Sequence, residues 1–105
     1  MLYKNRKMSQ LDIDEVYEDF VIEIAKKVTK NVKGKVFYGY ASIEDMWYII
    51  IKTHVLGEKR FFLDTLDYDI ISGISSQEIA DKIVKFYHKI IEERFFIIWI
   101  RDYII

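Results

Sequence analysis

The chain contains no cysteine, no proline and only 4 glycines in 105 residues. Without thiols there are no disulfides and no cysteine chemistry, and 2 histidines are too few for an ordinary structural zinc site. Absent proline, with abundant Ile, Lys and Tyr, marks an AT-rich coding sequence. Neither sign of charge dominates. A formal net charge of −1 excludes a surface that is basic all over and equally an acidic tail. No long hydrophobic run is present either: Phe95–Ile100 is far short of the roughly 20 residues a membrane helix needs. The start "MLYKNRKMSQ" carries charge with no apolar stretch behind it, unlike a secretion signal. A cytoplasmic protein is expected.

What is present is core material. Hydrophobic residues make up 51% of the chain, charged residues 31% and aromatics 16%, the composition of a folded chain. At this length it is expected to form a single domain over 1–105 with a substantial core. Residues 1–8 are expected to be flexible, and no repeat or linker interrupts the rest.

Ser9-Gln10-Leu11-Asp12 has the form of a helix start. From there Ile13, Val16, Tyr17, Phe20, Ile24 and Val28 recur at helical spacing and predict one buried stripe. The predicted helix covers about 10–32, with Gly34 as its stop. Acids early and lysines late on its outer face suit the helix dipole. The period then changes. "KVFYGYA" (35–41), "MWYIIIKTHV" (46–55) and "RFFLDT" (60–65) are β-branched and aromatic, on turns at 42–45 and 56–59, and predict an antiparallel meander. "DYDIISG" is expected to be loop. Ser75-Ser76-Gln77-Glu78 is a capping box opening a second helix, with Ala80, Ile83, Val84, Tyr87, Ile90 and Ile91 as its buried stripe. The expected fold class is α+β: helix, three-stranded antiparallel meander, helix, with a hydrophobic C-terminal extension over 95–105.

That extension, "FFIIWIRDYII", breaks the amphipathic pattern. At 100° per residue, Phe96, Trp99 and Tyr103 fall on the polar face of the second helix, and Arg101 falls in its apolar stripe. No Gly, Pro or Asn ends the helix, which favours continued helix over strand. Apolar on all sides, the segment wants more cover than one small sheet supplies. It reads as core completion, as a homo-oligomer or partner surface, or as a membrane-contacting tail.

Catalytic and metal motifs are incomplete. Asp64, Asp67 and Asp69 cluster but lack the calcium-loop spacing. His54 and His88 are the general-base candidates, yet neither has a serine in a nucleophile motif. No cofactor and no enzymatic activity are expected.

Two charged features remain. Lys26, Lys27, Lys30, Lys33 and Lys35 are five lysines in ten residues without an acid, a run able to grip phosphates. Asp12, Glu15, Glu18, Asp19 and Glu23 form a negative ridge on the first helix. Ile22 is expected to stand exposed among them, and such a ridge can dock on a basic partner surface.

"KGKVFYGY" (33–40) resembles the aromatic strand of RNA-recognition domains, but Lys35 stands where an aromatic is needed. The predicted element order resembles the double-stranded-RNA-binding domain. Its second helix there begins Lys-rich, whereas this one reads "SSQEIADKI" with Glu78 and Asp81. The stretch "DYDIISGISSQEIADKIVKFYHKIIEERFF" and the chain's general character resemble small phage and mobile-element proteins of the anti-CRISPR type. That resemblance implies a non-enzymatic inhibitor acting by protein contacts on a host defence nuclease such as a CRISPR effector. The net charge departs from the strongly acidic members. Expected contacts are Asp12, Glu15, Glu18, Asp19, Ile22 and Glu23 with Phe96, Trp99 and Tyr103. The alternatives are a nucleic-acid-binding module using Lys26, Lys27, Lys30, Lys33 and Lys35, or a homo-oligomer built through the tail.

Overall fold

The fold is α+β, as the patterning predicts. The computed structural model describes residues 4–5, 12–54 and 56–104, the side chains of 4, 5, 12–14 and 94–104 excepted. The order is β1 (Lys4–Asn5), α1 (Asp12–Thr29), β2 (Lys35–Ala41), β3 (Met46–Thr53), β4 (Gly57–Phe62), α2 (Leu66–Ile71) and α3 (Ser76–Ile104). The predicted meander is β2-β3-β4, all antiparallel, in a sheet of order β1-β2-β3-β4. The short β1 adds a parallel edge, Lys4 opposite Tyr38 and Asn5 opposite Gly39, within the stretch expected to be flexible. β4 starts at Gly57, three residues before the predicted strand, so the turn is shorter.

Besides β1, one element was not predicted, and one open alternative is decided. The segment expected as loop is α2: Thr65 precedes it, and the Thr65 backbone carbonyl accepts the Asp69 N–H at 2.9 Å. The tail, left open between helix and strand, continues α3 to Ile104. The Ser75 cap is present, its hydroxyl accepting the Glu78 N–H at 3.1 Å.

α1 also lies turned by roughly 60° from the expected orientation. Its buried face is Val21, Ile24, Ala25 and Val28, all fully buried, while Val16 of the predicted stripe is 56% exposed. The six apolar positions did not define a unique stripe, because Val21 and Ala25 with Ile24 and Val28 make a second one about 60° away. Small and β-branched side chains there admit close packing on the sheet and on Ile79, Ala80 and Ile83 of α3. α1 ends at Thr29, earlier than predicted. The Asn31 side-chain amide donates to the Lys27 carbonyl at 3.0 Å and Thr29 Oγ1 to the Ala25 carbonyl at 2.8 Å, occupying acceptors at the helix end.

Both long helices cover one face of the sheet. Val36, Tyr38, Trp47, Ile49 and Ile51 meet them in a single core with Leu66 and Tyr87. β3 is buried on its other face as well, at Tyr48 and Ile50, which accounts for its unbroken apolar run. Arg60 lies 4.4 Å above the Tyr48 ring and Phe62 stands edge-on to it at 6.1 Å. Among the described residues no helix is long and apolar enough to cross a membrane.

Candidate binding surfaces: an acidic helix face and a cationic end

The acidic ridge is narrower than the sequence suggests. Glu15, Asp19 and Glu23 are exposed at successive turns of α1. Glu18 is not part of the ridge. It is 9% exposed, and its Oε2 accepts the Tyr38 hydroxyl at 3.2 Å. That placement pushes the Tyr38 hydroxyl pKa up, through burial first and then through the nearby Glu18 charge and hydrogen bond. Ile22 is also not an exposed contact: half-buried, it packs against the core. Both corrections follow from the turned helix, which brings the 18–22 flank onto the sheet. The exposed aliphatic beside the acids is Val16 instead. The side chains of Asp12, Phe96, Trp99 and Tyr103 lie outside the described residues.

Two of the three acids of 64–69, Asp67 and Asp69, are engaged. Tyr17 donates to the Asp67 carboxylate, a hydrogen bond that is the main cause of its raised pKa, ahead of burial and the Asp67 charge. Thr65 Oγ1 donates to Asp69 Oδ2 at 2.9 Å. Among the described residues no group of three or more His, Cys, Asp and Glu is placed to hold a metal ion. The hydroxyls beside the α3 start are likewise taken: Ser75 by its cap, and Ser76 by Lys27, whose Nζ donates to its Oγ at 2.6 Å.

The lysine run divides. Lys27 is spent on Ser76, whereas Lys26, Lys30, Lys33 and Lys35 are exposed. The fold adds cations that the sequence reading missed. β2 and β3 close on residues 42–45 with Ala41 opposite Met46, and the same register places Lys35 directly opposite Lys52. Side chains so paired have Cβ atoms about 5 Å apart, and like charges there repel. Gly34 makes the approach possible. A Cβ at this position would come within 2.7 Å of both the Lys52 carbonyl oxygen and the Thr53 methyl, so only glycine lets the α1–β2 segment rest on the end of β3. The result is a groove of about 510 Å³ lined by Lys33, Lys35, Phe37, Lys52, Thr53 and His54 around that glycine.

No family model, curated protein or solved structure matches the chain. Its function therefore rests on the chemistry of these surfaces.

Proposed function

We propose that the protein is a non-catalytic binding module whose cationic end holds the phosphate backbone of a nucleic acid. The observation that carries this reading is the cross-strand pair of Lys35 and Lys52, with Lys33 and His54 completing the rim of one groove. Lys52 also faces Glu58 on β4, which offsets part of the like-charge cost of the Lys35–Lys52 pair, and a bound polyanion offsets the remainder. The net charge of −1 is no obstacle, since the cations are gathered at one end while Glu15, Asp19 and Glu23 lie on α1. The test is fluorescence anisotropy with a labelled oligonucleotide across a salt series. Three lysine–phosphate contacts, from Lys33, Lys35 and Lys52, predict a single-strand affinity falling roughly 20-fold between 50 and 200 mM salt. Failure to bind at the low-salt end, or binding insensitive to salt, overturns the reading.

A second reading follows from the exposed acidic face of α1. Glu15, Asp19 and Glu23 with Val16 at 56% exposure suit a basic protein surface, such as that of a host defence nuclease of the CRISPR effector type. Under this reading, inhibition of such a target is lost when Asp19 and Glu23 become Lys and is retained when Lys35 and Lys52 become Gln. The opposite pattern rejects it.

A further inference from the structure

The cationic groove does not end at the sheet. Lys33 and Thr53 also line a second groove of about 350 Å³, whose remaining walls are Asn31, Leu56, Tyr87, His88 and Ile91. Asn31 and His88 in turn belong to a third, of about 580 Å³, running beside α3 past Lys85 and Lys89. The three join end to end through shared residues. They form one track that starts on the sheet face away from the helices, at Lys35 and Lys52, rounds the end of the sheet at Lys33, and continues along α3.

The lining changes along the way. The first stretch is cationic. The middle is largely apolar, with half-buried Ile91 at its surface over the buried Leu56 and Tyr87. Thr53 ties this stretch together: its Oγ1 accepts the Leu56 N–H at 3.1 Å and the Tyr87 hydroxyl at 3.3 Å. The last stretch offers Lys85, His88 and Lys89, all exposed, together with the carboxylates of Asp81 and Glu92.

We infer that this track takes a single strand of nucleic acid and not a duplex. The inference rests on the proposed function and narrows its ligand. Duplex DNA has a persistence length of about 150 bp, so it cannot follow a path that rounds the end of one small sheet. A single strand can, with phosphates at the cationic sheet end and on Lys85 and Lys89, where Asp81 and Glu92 balance the charge, and bases against the apolar middle. An occluded length on the order of 4–16 nucleotides is expected, as for other single-strand grooves.

The test compares labelled oligo-dT and oligo-U 12-mers with a duplex 12-mer at 50 mM salt, on the full chain and on two exposed-site variants. These are Lys85→Gln with Lys89→Gln, at the α3 end, and Lys35→Gln with Lys52→Gln, at the sheet end. Circular dichroism confirms that each is folded. The track predicts single-strand affinity at least about 10-fold above duplex affinity, and a roughly 5- to 20-fold loss of single-strand affinity in each variant. If the sheet-end variant loses affinity and the α3 variant does not, or if duplex binds as well as single strand, the track is overturned while the cationic end stands. If none of the three nucleic acids binds, the proposed function fails and the track fails with it.

Discussion

The Tyr38 hydroxyl donates to the Glu18 carboxylate at 3.2 Å across the interface between α1 and the sheet. This one bond marks the difference between an acidic surface residue and a buried structural one, since it gives the inward flank of α1 a reason to accept a carboxylate. Hydrogen bonds to a charged group contribute about 1.5–3 kcal/mol. Tyr38→Phe is therefore expected to lower stability by about 2 kcal/mol in chemical denaturation. An unchanged denaturation midpoint would show that the bond contributes nothing.

Alkaline pH is expected to destabilise the fold through Tyr17 and Tyr38. Both hydroxyls have pKa values raised above the ordinary 10.0, by the Asp67 hydrogen bond and by burial respectively. The folded state thus holds these protons more tightly than the unfolded chain does. Their contribution is complete below about pH 10 and is lost as pH rises through the folded-state values. Urea midpoints taken between about pH 8 and pH 11 should fall in the upper part of the range, and the slope should flatten in Tyr17→Phe with Tyr38→Phe. A slope that the double variant leaves untouched assigns it to other groups.

Lys35→Glu separates stability from binding. It converts the repulsive pair with Lys52 into an attractive one, for a gain of a few tenths to about 1 kcal/mol. The gain should shrink in 1 M salt. Oligonucleotide affinity should fall in the same variant. Loss of both stability and binding would mean that Lys35 supports the strand in some other way.

The glycines at 34 and 57 make a controlled comparison. Both have positive φ, 140° and 69°, but only Gly34 has neighbours where a Cβ would go. Gly57→Ala should cost about 1–2 kcal/mol, the ordinary penalty of that conformation. Gly34→Ala should cost more, because φ near 140° is essentially open to glycine alone and the Lys52 carbonyl must also move, and should weaken oligonucleotide binding by spreading the groove. Equal costs for the two variants would remove close approach from the account of this site.

Ser75→Ala is expected to cost about 1 kcal/mol through loss of the α3 cap, measured by thermal denaturation. For a chain near 100 residues that is a fall of about 4–8 °C. No change in melting temperature would mean that solvent caps the Glu78 N–H equally well.

Much of the fold was legible because period and punctuation agreed. The switch from helical to strand patterning at 35, the turn at 42–45 and the Ser75 capping box each have a local cause, and each is where the sequence places it. The Lys35–Lys52 pair was legible too. Two strands closing on 42–45 put 41 opposite 46 and therefore 35 opposite 52, a consequence of register that reading lysines only as a linear run overlooks. α2 was hidden because six residues with three aspartates and a tyrosine, "DTLDYD", resemble a polar turn.

Local chemistry by itself determined the order of the two long helices and the meander between them, the antiparallel register and the cap of α3, since each depends on residues close together along the chain. Only the tertiary structure decided which side of α1 faces inward. Two apolar stripes compete on that helix, and the sheet selects the one whose Glu18 can meet Tyr38. It also decided that Lys33, His88 and Lys89 belong to connected grooves, because a helix and a loop more than fifty residues apart in sequence become neighbours only when the core between them packs.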